Sequence, residues 1–148
     1  MPGAYHTEGT AAVGTDKTIV SLISAATTRP QIVEMNFGCV AAPADAATRW
    51  AVQRFTADGT GTAFTPIASD PGAPASLTTS KAAYSAEPTV TANAFMWGMS
   101  LNQRNTYRYV QFVGAALMAP ATAANGLSLK SRSSTVTTAH EVNCVFME

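Results

Sequence analysis

Hydrophobic side chains in this sequence recur with a period of two, in short runs that Pro, Gly or Asp soon interrupt. Between residues 31 and 40, Val33, Met35, Phe37 and Cys39 fall on one side, with Glu34, Asn36 and Gly38 on the other. Near the C-terminus Val142, Cys144 and Phe146 alternate in the same way. Two is the side-chain period of a pleated strand, and such a run presents no single stripe to a helix. Residues 17–24 form a compact β-branched run, and Trp50 and Val52 share one face of a run over 48–56. Phe95, Trp97 and Met99 line one face of residues 94–101, and Tyr107 and Tyr109 one face of 107–113. Residues 127–132 and 136–147 complete the set.

The punctuation agrees with this reading. Asp58-Gly59 followed by Gly61 predicts a hairpin, with residues 63–68 returning as an edge strand that Pro66 keeps at the margin. Asp70-Pro71-Gly72 and Asn125-Gly126 mark turns. Residues 77–92 read two ways: small residues there permit a helical turn, while the Thr residues prefer strand and Pro88 forbids a continuous helix. About eight or nine strands with uneven loops, and no internal repeat, predict an all-β chain: an antiparallel β-sandwich, jelly-roll-like. Residues 1–16 show little periodicity and read as an extended N-terminal arm, leaving 17–148 as a single sandwich domain.

Composition removes several function classes. Charged residues make up 12% of the chain, nine basic and nine acidic, scattered singly. That distribution supplies neither the basic face of a nucleic-acid binder nor a polybasic membrane patch. No stretch reaches the ~18 consecutive apolar residues of a spanning helix, and the first residues lack the pattern of a secretory leader. Synthesis in a reducing cytoplasm is therefore expected.

Few residues carry chemistry. His6 lies in the predicted arm, and His140 lies in the last strand, with Glu141 turned to the opposite face. Cys39 and Cys144 read as small buried hydrophobes, with a disulfide as the alternative. Gly59-Thr60-Gly61-Thr62 lacks the Lys and following helix of a phosphate cradle, so a turn explains it. Asp45, Asp58 and Asp70 each fit a turn. No catalytic set, cofactor or metal site is expected. Six Arg against three Lys favour protein contact, since the planar guanidinium pairs and stacks well. Arg104 and Arg108, flanked by Tyr107 and Tyr109, form one candidate interface, and Tyr5 and His6 of the arm form another.

Residues 41–76, 83–93, 101–110 and 120–132 carry a resemblance of order and style. An Ala-Pro-Ala-Asp loop, a Trp-x-Val-Gln-Arg strand, a Gly-Thr-rich segment and an Asp-Pro-Gly loop follow one another. In this the sequence resembles the decoration (cement) proteins of tailed-bacteriophage heads. The resemblance implies a β-sandwich without enzymatic activity that binds the major capsid protein on the outer virion surface. It further implies a homo-oligomer, and repetition of the capsid surface favours a trimer over a dimer; residues 1–16, which lie outside the resemblance, are expected to lie across an adjacent subunit or the capsid. The competing reading is a receptor- or carbohydrate-binding β-sandwich of a head fibre or tail. A hydrolase is disfavoured by the absence of a His/carboxylate set.

Overall fold

The structure, a computed structural model, describes residues 3–11, 15–112, 114–132 and 138–148. It contains twelve strands and, among the described residues, no helix long and apolar enough to cross a membrane. In chain order these are β1 (Ala4–Ala11), β2 (Lys17–Ile23), β3 (Gln31–Cys39), β4 (Ala47–Ala57), β5 (Thr60–Phe64) and β6 (Ile67–Ala68). They continue as β7 (Thr79–Ala86), β8 (Thr89–Asn102), β9 (Tyr107–Val110), β10 (Leu117–Met118), β11 (Gly126–Ser131) and β12 (His140–Met147). The first sheet runs β10-β3-β12-β1-β6, with β9 also on β3; the second runs β5-β7-β2-β11-β4-β8. Every pairing is antiparallel.

The inner faces share one core, as expected of a sandwich. Tyr5, Ile32, Met35, Phe37, Val142, Cys144 and Phe146 come from the first sheet. Ile19, Val20, Leu22, Trp50, Val52, Leu127 and Leu129 answer from the second. The alternation read at residues 31–40 holds with one correction. A bulge in the β3–β12 ladder pairs Val145 with Glu34 but Phe146 with Ile32. Val33 is skipped, so Ile32 fills the core where period two had placed Val33.

Residues 4–11 are not a free arm. β1 pairs along its whole length with β12, and Tyr5 and His6 pair with β6 on the other side. Tyr5, Thr7 and Ala11 are buried beneath it. The signal was hidden because the inward residues of β1 are Tyr, Thr, Gly and Ala, which make no hydrophobic run. Gly9 is required there: a Cβ would lie 2.5 Å from the Ile19 carbonyl oxygen. Residues 1–2 and 12–14 of the expected arm lie outside the described residues, as do Val113 and Val136, which had been assigned to strands.

The expected hairpin at Asp58-Gly59 is also corrected. β5 pairs with β7, at the far side of the second sheet from β4. The Asp58 carboxylate accepts from Lys81 Nζ and from the Tyr84 hydroxyl, which ties this connection to β7. A Cβ on Gly59 would lie 2.2 Å from the Ala86 carbonyl oxygen, so the two segments cross at backbone contact. The glycine permits a crossing, not a tight reversal.

Residues 77–92 resolve as β7 and the start of β8, with no helix. Ala83 adopts a positive φ of 51°, and the irregularity turns Tyr84 onto the face opposite the shared core. There Ser21 donates to the Tyr84 oxygen at 2.6 Å, and Thr18 and Ser128 share a 2.8 Å hydrogen bond. Gln53 Nε2 donates to the Thr91 carbonyl at 2.7 Å. The centre of the second sheet is thus buried on both faces, one apolar and one hydrogen-bonded, consistent with the full burial of β11.

Two outcomes follow from this architecture. Deleting residues 1–16 removes a paired interior strand, so the truncated protein should lose its cooperative thermal transition; an unchanged midpoint would contradict the pairing of β1. Gly126→Ala places a Cβ 2.0 Å from the Leu22 carbonyl oxygen and 2.4 Å from the Phe55 ring. Overpacking of that kind costs about 1–3 kcal/mol, readable as a lowered denaturation midpoint in urea.

Candidate functional site

The outward face of the first sheet gathers the polar groups that the strands turn away from the core. Register sets them in rows. His6, Val145 and Glu34 stand side by side across β1, β12 and β3, and Val110 of β9 extends that row. The next row runs Glu8, Asn143, Asn36 and Arg108. Adjacent strands lie about 4.8 Å apart, so neighbours in a row can touch one ligand together. The segment from Phe64 to Ile67 arches beside them and encloses a cleft of about 820 Å³. Its floor is His6, Glu8, Glu34, Asn36 and Asn143.

Much of this polarity is already paired. Arg108 donates from Nε and Nη2 to the two Glu34 carboxylate oxygens at 2.7 and 2.8 Å. That fork holds the Glu34 carboxyl below the usual carboxylate range. Asn143 donates to Glu141 at 2.9 Å, and His6 Nε2 lies 2.8 Å from the Ser69 hydroxyl. The His6–Ser69 contact lies at the exposed margin of the sheet. Among the described residues no group of three or more His, Cys, Asp or Glu could hold a metal ion. The face can therefore offer hydrogen bonds and apolar contact to a partner.

The six interface candidates read from the sequence divide. His6 and Arg108 do stand on this face, at opposite ends of the adjoining rows. Arg104 is exposed in the turn after β8, where its backbone N–H donates to Asn102 Oδ1 at 2.9 Å. Tyr5 is removed from the surface: it is buried, lies 5.7 Å from the Phe146 ring and donates its hydroxyl to the Pro74 carbonyl. Tyr107 and Tyr109 turn inward to Trp97, with ring centroids at 6.3 and 5.4 Å. Because Trp97 belongs to the edge of the second sheet, the two tyrosines close that side of the sandwich. Sequence reasoning missed Glu8 and Asn143, and it missed exposed Ile67, Val110 and Phe112. Outward parity in β3 already pointed to Glu34 and Asn36, but only the register adds β1 and β12.

His140 is a buried ring, 4.5 Å from Trp50, which packs on Phe37; Phe37 in turn stacks on Trp97 at 5.1 Å. Burial among aromatics disfavours the imidazolium and pushes its pKa down to about 4. Both cysteines are free, Cys144 buried and Cys39 half-buried, so the expectation of two buried thiols holds for Cys144 alone. Burial raises both thiol pKa values. β3 and β12 are neighbours, yet Cys39 lies opposite His140 and Cys144 opposite Met35. Four residues of offset is roughly 13 Å of strand, beyond the reach of a disulfide.

Comparison with family models, curated proteins and solved structures finds no match to this chain.

The His140 environment sets a pH dependence. The folded pKa is depressed below the ordinary value, so the neutral ring's contribution is complete above about pH 6.5 and is lost as pH falls toward 4. At about 1.4 kcal/mol per unit, the loss is on the order of 3 kcal/mol. Urea denaturation between pH 6.5 and 5 should show this slope, and His140→Phe should flatten it. An identical slope in the variant would remove His140 as its source.

Proposed function

We propose that this protein is a capsid decoration protein, a non-enzymatic homo-oligomer that binds major capsid subunits on the outer surface of a tailed-phage head. One observation carries this reading. Large apolar side chains stand exposed around the polar rows of the first sheet: Ile67 at 75%, Val110 at 56% and Phe112 at 84%. Apolar groups rimming a polar patch are what a protein contact covers. The low charge of the chain fits a subunit that stays packed against others and does not steer a charged ligand. The order of loops and strands that resembles decoration proteins supports the same assignment.

The second reading is a carbohydrate- or receptor-binding module of a head fibre or tail. The cleft favours it specifically. Phe64 beside Glu8, Asn36 and Asn143 combines a ring face with carboxylate and amide groups, the chemistry that holds a sugar.

Sedimentation with undecorated heads of the phage that carries this protein separates the two. Saturable co-sedimentation is expected, and Phe112→Asp with Val110→Asp should weaken it at least ~10-fold by placing charge in a desolvated contact. Leu77→Asp, at an exposed site outside the rows, should leave it unchanged. Failure to co-sediment, together with glycan binding that Asn143→Ala abolishes, would establish the second reading instead.

A further inference from the structure

The margin of the second sheet formed by β8 is long, and among the described residues no further strand pairs along it. β8 extends over fourteen residues, Thr89–Asn102, and among the described residues pairs only with β4. It contains no Asp, Glu, Lys, Arg, His or Pro. None of its residues is buried, whereas every residue of β11 is. An exposed strand edge presents unpaired N–H and C=O groups that template another strand, and soluble proteins blunt such edges with charge, proline, brevity or cover. The other margins are short: β5 has five residues, β9 four, and β6 and β10 two each. β8 alone is neither short nor charged.

The sequence of this edge is complementary to itself. Bulges interrupt the β4–β8 ladder up to Phe95, and the regular part covers Trp97 to Asn102. An antiparallel pair about a two-fold axis at Met99 sets Trp97 opposite the second copy's Leu101 and Met99 opposite its own counterpart. On the outward face the same register sets Gly98 opposite Ser100. Large apolar groups then meet on one face and small groups on the other, with no charge on β8 itself to repel a copy; Arg49 stands one strand back, opposite Ser100. Isologous pairing requires this self-matching.

We infer that β8 is the docking edge for a second copy of this chain, which adds its own β8 antiparallel so that the two second sheets become continuous. The inference does not rest on the virion reading, because an open neutral edge pairs in the same way whatever the protein binds. It yields a dimer in place of the trimer suggested by the family resemblance.

Sedimentation velocity on the full chain tests it. The wild type should run at twice the 15.4 kDa of one chain. Gly98→Lys with Ser100→Lys sets like charges opposite each other twice across the axis. A Cβ at Gly98 meets nothing closer than the Trp50 carbonyl oxygen at 3.5 Å, so a side chain fits there; Lys at position 100 stands opposite Arg49 in both variants alike, so only the sign of the charge at position 98 separates them. This variant should run as a monomer with dimerisation weakened about a hundredfold, its β-rich circular dichroism and melting retained. Gly98→Glu with Ser100→Lys sets opposite charges across the same axis and should restore the dimer. A monomeric or trimeric wild type would overturn the inference. So would a dimer indifferent to both pairs of substitutions, since it must then use another surface.

Discussion

The pairing of β12 between β3 and β1 is the constraint on which the rest of the structure depends. β12 contributes Val142, Cys144 and Phe146 to the core and carries on its other face the middle member of each polar row. β1 and β12 come from opposite ends of the described chain, so the first sheet is complete only when both ends have met. That contact closes a loop of nearly the whole chain, and its entropy must be offset by the core it completes. Tyr5 stacked on Phe146 shows how directly the two ends share that burial.

The second sheet solves a different problem. Its inner face joins the core, but at its centre the other face is buried too, and there the side chains are Thr18, Ser21, Gln53 and Ser128. Buried hydroxyls and amides cost free energy unless they are bonded, and Tyr84 and the Thr91 carbonyl supply partners. Tyr84 can do so only because Ala83 takes a left-handed conformation, a local cost for a non-glycine residue that the network offsets. The Lys130 ammonium shows the limit of this arrangement. Burial lowers its pKa, partly countered by Asp16 at 3.9 Å.

The two sheets therefore present unlike surfaces to the outside. The first offers hydrogen-bonding rows rimmed by exposed apolar groups, suited to a large partner surface. The second ends in a long edge strand that carries no charged residue of its own. Trp97 and the inward tyrosines fasten the regular part of that edge strand to the core.

Much of this was legible in the sequence. Period-two alternation around Met35 and Phe37, and again at Val142, Cys144 and Phe146, fixes strands, because only a pleated backbone sends alternate side chains into one core. The same alternation marks Glu34 and Asn36 as outward residues. What period two does not encode is which strand lies beside which. Asp58-Gly59 carries hairpin chemistry, yet the tertiary structure uses it as a crossing, because Lys81 and Tyr84 on β7 hold the Asp58 carboxylate. The Tyr-Thr-Gly-Ala face of β1 looks like an arm until β12 pairs with it, since small residues bury against a close neighbour without forming an apolar run. His6, Asn143 and Glu34 lie far apart in the chain and share one face only through register. The sequence by itself determined most of the strands and most of their inward sides; pairing across long loops, decided by backbone hydrogen bonds and the packing of distant residues, determined the sheets, the place of β1, the cleft and the long edge.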